Sequence, residues 1–99
     1  MRYEFDWDPK KAASNAAKHG VSFEDAMSVF LDPLALSRPD GGGGLGDERW
    51  ITIGQIHDTK LLLVVHTYVG ISEALAAIRI ISARRPTKRE TRQYEEGSL

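Results

Sequence analysis

The residues best suited to chemistry in this 99-residue chain crowd toward one end. Between Arg79 and Arg92 lie six basic residues (Arg79, Arg84, Arg85, Lys88, Arg89 and Arg92) against one acid, Glu90. That segment carries +5 while the whole chain carries −1, so the remainder carries −6. A local basic surface, rather than a basic total, is what a polyanion requires. Arg84, Lys88 and Arg92 recur every four residues, so Lys88 and Arg92 share a helix face and Arg84 extends it just before the cap. Tyr94 lies on a different part of that helix, where a phenol near cations stacks on a base or donates a proton. The amino end of such a helix adds partial positive charge suited to phosphate. The same run also reads as a solvated basic helix.

Arg79 interrupts an apolar stretch, residues 76–81. By strand alternation it shares a face with Ala77 and Ile81, opposite Ile78 and Ile80. A guanidinium among apolar neighbours is costly unless it is paired or opens onto a cleft. Two readings stand: a functional site, or a salt bridge to a carboxylate such as Glu48.

Of the three histidines, His66 falls inside a strand on the face of Leu62, Val64 and Tyr68. It reads either as a packed, hydrogen-bonded side chain or as a general base. His19 sits in the last turn of a helix, where the dipole welcomes a cation. His57 falls in a hairpin turn and is expected to be solvated. No pair of them has the spacing of a metal motif, and the chain has no cysteine, which leaves no thiolate chemistry, disulfide or Cys-based zinc site. A mechanism without metal or cofactor is expected. The run of glycines from Gly41 to Gly46 formally satisfies G-x-G-x-x-G, yet it leads into Asp47 and Glu48 rather than a helix. Two carboxylates there repel a pyrophosphate, so a flexible loop is expected.

The elements that must position these residues follow from pattern. Residues 2–7 alternate aromatic and charged types, as in a short strand. Asp8 and Pro9 open a helix that Gly20 ends. Ser22 restarts it, and Phe23, Ala26, Met27 and Phe30 form an apolar stripe that Asp32-Pro33 terminates. Residues 34–36 suggest a brief strand. Residues 50–56, 60–68 and 74–83 are strand-like, with turns at 57–59 and 69–73 between them. Thr87 and Glu90 cap a last helix that ends at Gly97. The order predicts one α+β domain over residues 1–99: a strand, two helices, an antiparallel meander and a C-terminal helix. No apolar run reaches the roughly 20 residues of a membrane span, and the first residues lack an export signal, so a cytoplasmic location is expected.

These residues resemble the BrnT toxin family. The likeness runs through Phe5-x-Trp7-Asp8-x-x-Lys11, Asn15, 18–23 (Lys-His-Gly-Val-Ser-Phe), Ala26, Phe30 and Asp32-Pro33. It continues through Glu48-Arg49, Gly54, Val64-Val65-His66-Thr67, the stretch from Arg79 to Arg84, Thr87-Lys88-x-Glu90 and Tyr94. Departures are the four consecutive glycines, Arg85-Pro86 where Lys-Ala is common, and an unusually apolar stretch at 71–77. The resemblance implies a fold similar to RelE-type ribonucleases and endoribonuclease activity. It also implies a hetero-oligomer with a BrnA-like antitoxin, through which alone operator DNA is bound.

RNA can be cleaved by its own ribose 2′-hydroxyl, leaving the protein to supply alignment, a proton acceptor, a proton donor and positive charge. On that reading Arg79 and Arg84 hold the scissile phosphate and Lys88 assists phosphate binding or proton transfer. His66 is the general base, and Tyr94 stacks on a base or serves as the acid. Lys18, His19, Arg85 and Arg92 are carried over as further RNA-side residues. Two other classes fit the same residues: a non-catalytic nucleic-acid-binding module, and a protein-interaction domain whose acidic surface meets a basic partner. The nuclease reading as assembled requires cations of the last strand and last helix to converge on one phosphodiester.

Overall fold

The computed structural model describes residues 2–41 and 49–99. The glycine-run expectation for 42–46 and the proposed partner Glu48 lie outside the described residues. In chain order the elements are β1 (Arg2–Asp6), α1 (Pro9–His19), α2 (Phe23–Met27) with a 3-10 turn (Ser28–Leu31), and β2 (Leu36–Pro39). There follow β3 (Arg49–Gln55), a second 3-10 turn (His57–Thr59), β4 (Leu61–Gly70), β5 (Leu75–Arg84) and α3 (Lys88–Glu96). The strands form one sheet in the order β1-β5-β4-β3-β2. β2 to β5 pair antiparallel, whereas β1 adds to β5 in parallel. The expected α+β class therefore holds, with a mixed sheet. None of the helices among the described residues is long and apolar enough to cross a membrane.

Local chemistry explains the boundaries. Asp8 accepts a hydrogen bond from the Lys10 N–H at 2.9 Å, Pro9 occupies the first turn, and Gly20 closes α1 at φ +67°, a left-handed turn that glycine adopts without penalty. The apolar stripe after Ser22 is a five-residue helix that tightens into a 3-10 turn at Ser28. The brief strand expected at residues 34–36 instead begins at Leu36 and runs to Pro39. The Asp32 carboxylate takes the Leu34 N–H at 2.8 Å and holds that segment in a turn, and an edge strand tolerates Pro39 because one side needs no donors.

The two N-terminal helices cover one face of the sheet. Phe23, Ala26 and Val29 are fully buried against Leu62, Val64, Ile78 and Ile80. Trp7 meets Phe23 edge-on, and Phe5 and Tyr3 tilt against Phe30. Asn15 fastens α1 to β5: its Nδ2 donates to the carbonyls of Ala83 and Val21, and its Oδ1 accepts from the Ala83 N–H. One irregularity governs the opposite face. Val65 pairs with Ser82 but His66 pairs with Ile80, so Ile81 is an extra residue on β5. Burial falls on Ala76, Ile78 and Ile80 before it and on Ala83 after it. The bulge thus shifts the alternation by one and puts Arg79 and Arg84 on the same face, opposite the two N-terminal helices.

Candidate nucleic-acid interface

Register places cations in a row across the face opposite the two N-terminal helices. Arg49 of β3 pairs with Thr67 of β4, Thr67 with Arg79 of β5, and Arg79 with Asp6 of β1. Directly paired residues share a face, so Arg49 and Arg79 flank Thr67, roughly 10 Å apart at two strand spacings. Arg79 Nη1 donates to Asp6 Oδ2 at 2.8 Å, with the two side chains 50% and 67% exposed. Together with Glu4, Thr67, Val69 and Ala77 they line an open depression of about 310 Å³. Of the two readings offered for Arg79, a site opening onto a cleft or an ion pair, the geometry carries features of both. Around Arg79 this face opens into the depression, so the guanidinium stands in solvent reach. Its carboxylate is Asp6, which only the parallel pairing of the chain's first and last strands brings alongside.

Arg84 follows a different design. Its Nη1 and Nη2 donate to the two oxygens of Glu90 at 2.8 and 2.9 Å. Glu90 Oε1 also accepts the Thr87 N–H, and Thr87 Oγ1 accepts the Glu90 N–H, completing a capping box at the start of α3. The hydrogen bonds from Arg84 hold the Glu90 carboxyl down to about 2, and the same contact raises the Arg84 guanidinium. At the far side of α3 the Tyr94 hydroxyl donates to Asp32 Oδ2 at 2.6 Å. Burial and the Asp32 hydrogen bond push the Tyr94 phenol up to about 12. Burial alone pushes the Asp32 carboxyl up, but hydrogen bonds from Tyr94 and from the Gln55 and Leu34 N–H groups outweigh it and leave it low. Arg84 and Tyr94 thus dock α3 onto the body.

His66 faces the helices. It is 3% exposed and meets the Phe30 ring edge-on at 4.8 Å between centroids. Its Nδ1 lies 3.0 Å from the Thr67 carbonyl and its Nε2 lies 2.7 Å from Thr52 Oγ1, which is itself 2.7 Å from Ser37 Oγ. Burial holds the imidazole below its ordinary value, against a small upward pull from the Thr67 carbonyl. One side of the ring opens toward a second cavity, walled by Trp50 and Tyr68 with Ser37.

The expected convergence does not occur. Arg79 and Arg84 are five residues apart, roughly 15 Å of strand, and each holds its own carboxylate. His66 and the pocket it lines lie on the opposite face from Arg79, and the Tyr94 proton is committed to Asp32. Lys88, Arg92, Arg85 and Lys18 are exposed, while His19 is half-buried beside the α1 cap; His57 is solvated, as its turn suggested. What brings Arg49, Arg79 and Asp6 together was missed because it depends on register. The available signal was alternation in β1, where Arg2, Glu4 and Asp6 are exposed while Tyr3 and Phe5 pack inward.

Comparison with known proteins gives this geometry a family. Residues 7–90 match the model of the ribonuclease toxin BrnT of type II toxin–antitoxin systems. The crystal structure of the Brucella abortus ribonuclease toxin BrnT is similar, with a TM-score of 0.60 and 26% identity over 89% of this chain and 100% of that one. No curated protein matches the chain. A family match spanning most of the sequence, joined to a solved structure with the same arrangement of helices and sheet, settles the assignment: the chain belongs to the BrnT family of ribonuclease toxins of type II toxin–antitoxin systems.

Proposed function

We propose that the chain is a metal-independent endoribonuclease on a RelE-like scaffold, cleaving RNA through the 2′-hydroxyl and silenced by a BrnA-like antitoxin. The observation that carries the reading is the Arg49–Thr67–Arg79–Asp6 row, whose Thr67, Arg79 and Asp6 line an open depression with Arg49 next in register. Arg79 exchanges the exposed Asp6 carboxylate for a phosphate at little cost, because a half-solvated ion pair contributes only about 0–1 kcal/mol. Arg49, which forms no ion pair among the described residues, supplies a second guanidinium from across Thr67. The two stabilise charge on the phosphorane, which forms when the 2′-oxygen bonds to phosphorus and collapses when the 5′-oxygen leaves and takes a proton from water.

Asp6, released from Arg79 but still beside the phosphate, accepts the 2′-hydroxyl proton. In this role it replaces His66, whose ring nitrogens are both engaged on the other face. Arg84 and Lys88 lie farther along as chain-positioning cations, joined by Arg85 and Arg92, and Lys18 and His19 remain family-motif positions at the α1 end. Tyr94 anchors α3 and takes no proton-transfer role. The antitoxin acts as the neutralising partner, and operator DNA is reached only through it.

The test is cleavage of a structured RNA in EDTA by the chain and by Arg79→Ala, Arg49→Ala and Asp6→Asn. Loss of cleavage in folded variants supports the reading. RNA that is bound but uncut by the parent chain makes it a non-catalytic module. Cleavage that survives both Arg79→Ala and Asp6→Asn removes the depression as the site.

A further inference from the structure

The cavity beside His66 has its own chemistry. Trp50 and His66 are directly paired across β3 and β4, and Trp50, Tyr68 and His66 enclose about 210 Å³ with Ser37 at the edge strand. The space suits one flat ring rather than an extended ligand. Tyr68 is 40% exposed although it points toward the helix-covered side, so the helices stop short of it and leave the cavity mouth open. An indole and a phenol at an open mouth offer π-faces, on which unpaired bases stack.

The polar floor has a defined direction. A carbonyl only accepts, so His66 Nδ1 carries the hydrogen that goes to Thr67, and Nε2 is a lone pair. Nε2 then accepts the Thr52 hydroxyl proton, which obliges Thr52 Oγ1 to accept from Ser37. With its own proton turned inward, Ser37 Oγ presents lone pairs to the cavity. Burial of the imidazole favours its neutral form and keeps the chain in this orientation. The cavity therefore pairs aromatic walls with a hydrogen-bond acceptor, complementary to a planar ring bearing N–H donors.

We propose that this cavity is a subsite for one unstacked nucleobase, whose N–H edge donates to Ser37 Oγ while its ring packs against Trp50 and Tyr68. The proposal rests on the RNA-cleaving reading. The subsite lies on the opposite face from the Arg79 depression, so it takes a base away from the scissile phosphate. Ser37 and Arg38 are neighbours on the edge strand β2, and Arg38 pairs with Ile51 on the Arg49 side. An RNA chain rounding that edge passes Arg38 between the two sites.

Trp50 is its own reporter in a Trp7→Phe background, since the chain has two tryptophans. Uncleavable 2′-O-methyl hexamers of A, C, G and U are compared with an abasic hexamer of the same length, following Trp50 emission and, separately, fluorescence anisotropy. The expected result is quenching by at least one base-bearing hexamer, with about tenfold weaker binding of the abasic one, as loss of one stacked base implies. Ser37→Ala is expected to weaken the preferred hexamer severalfold and leave the abasic one unchanged. Equal binding of both kinds with unaltered Trp50 emission overturns the subsite while leaving the RNA reading intact. No binding of any hexamer or of RNA overturns the RNA reading itself. Quenching by a basic partner protein but by no hexamer assigns the cavity to that partner and also overturns the proposal. If Trp7→Phe does not fold, the parent chain labelled with 5-fluorotryptophan gives the same readout from its two fluorine resonances.

Discussion

Arg79 and Asp6 lie 73 residues apart in sequence yet share a 2.8 Å hydrogen bond across the parallel β1–β5 strand pair. Both side chains are at least half exposed. The pair therefore stabilises little and is open to exchange. Arg79→Ala and Asp6→Asn are each expected to change unfolding free energy by no more than about 1 kcal/mol while cutting cleavage at least a hundredfold. Chemical denaturation beside an RNA cleavage assay checks this, and equal losses in both would return Arg79 to a structural role.

Acid should release α3. The folded-state Glu90 carboxyl sits near 2 rather than its ordinary 4.5, because it accepts from Arg84 and from Thr87. A depressed carboxyl stabilises the fold above its unfolded value and loses that contribution as pH falls from about 4.5 toward 2. In Glu90→Gln the stability-versus-pH curve is expected to be flatter across that window. At neutral pH the variant should be less stable by about 1–2 kcal/mol. An unchanged acid limb would mean that the bidentate contact is not maintained in solution.

Alkali should act through Tyr94. Its phenol is raised to about 12 from 10.0, by burial first and by the Asp32 hydrogen bond second. The neutral form is favoured in the fold, so this stability is present below pH 10 and lost as pH rises from 10 toward 12. One of the three tyrosines is thus expected to ionise late in an absorbance titration, and Tyr94→Phe should remove that late phase. The same variant should cleave RNA at close to the parent rate.

Asn15 tests the seam between α1 and β5. Its side chain is 7% exposed and makes three hydrogen bonds to the backbone of Val21 and Ala83. Asn15→Ala leaves those backbone groups without partners, at about 1–3 kcal/mol each for any that stay dry. A thermal midpoint lowered by several degrees is expected. Asn15→Asp should also destabilise, since a carboxylate cannot donate to the Ala83 carbonyl.

Gly54 tests close packing. A Cβ there would stand 2.9 Å from Val29 Cγ1 and 3.0 Å from the Val29 carbonyl oxygen. Rotating the valine relieves the first contact but not the second, which is backbone. Gly54→Ala is expected to cost about 1–3 kcal/mol, measured by denaturant midpoint, and Gly54→Ala with Val29→Ala should recover only part of it.

The amino-acid sequence alone determined the order of the elements and the caps of the first and last helices, because caps and periodicity act over three or four neighbouring residues. Asp8, Gly20, Thr87 and Gly97 each sit where the helices start or stop, and the basic run, the family likeness and the exposed final helix were all readable from the order of residues. Tertiary structure decided which groups meet. The parallel docking of β1 gave Arg79 its carboxylate, and the bulge at Ile81 turned Arg84 to the same face. Strand register assembled Arg49 with Arg79 on one side and the Ser37–Thr52–His66 chain on the other. Pairing between distant strands depends on the summed packing of two sheet faces rather than on any local signal, and a shift of one residue exchanges those faces.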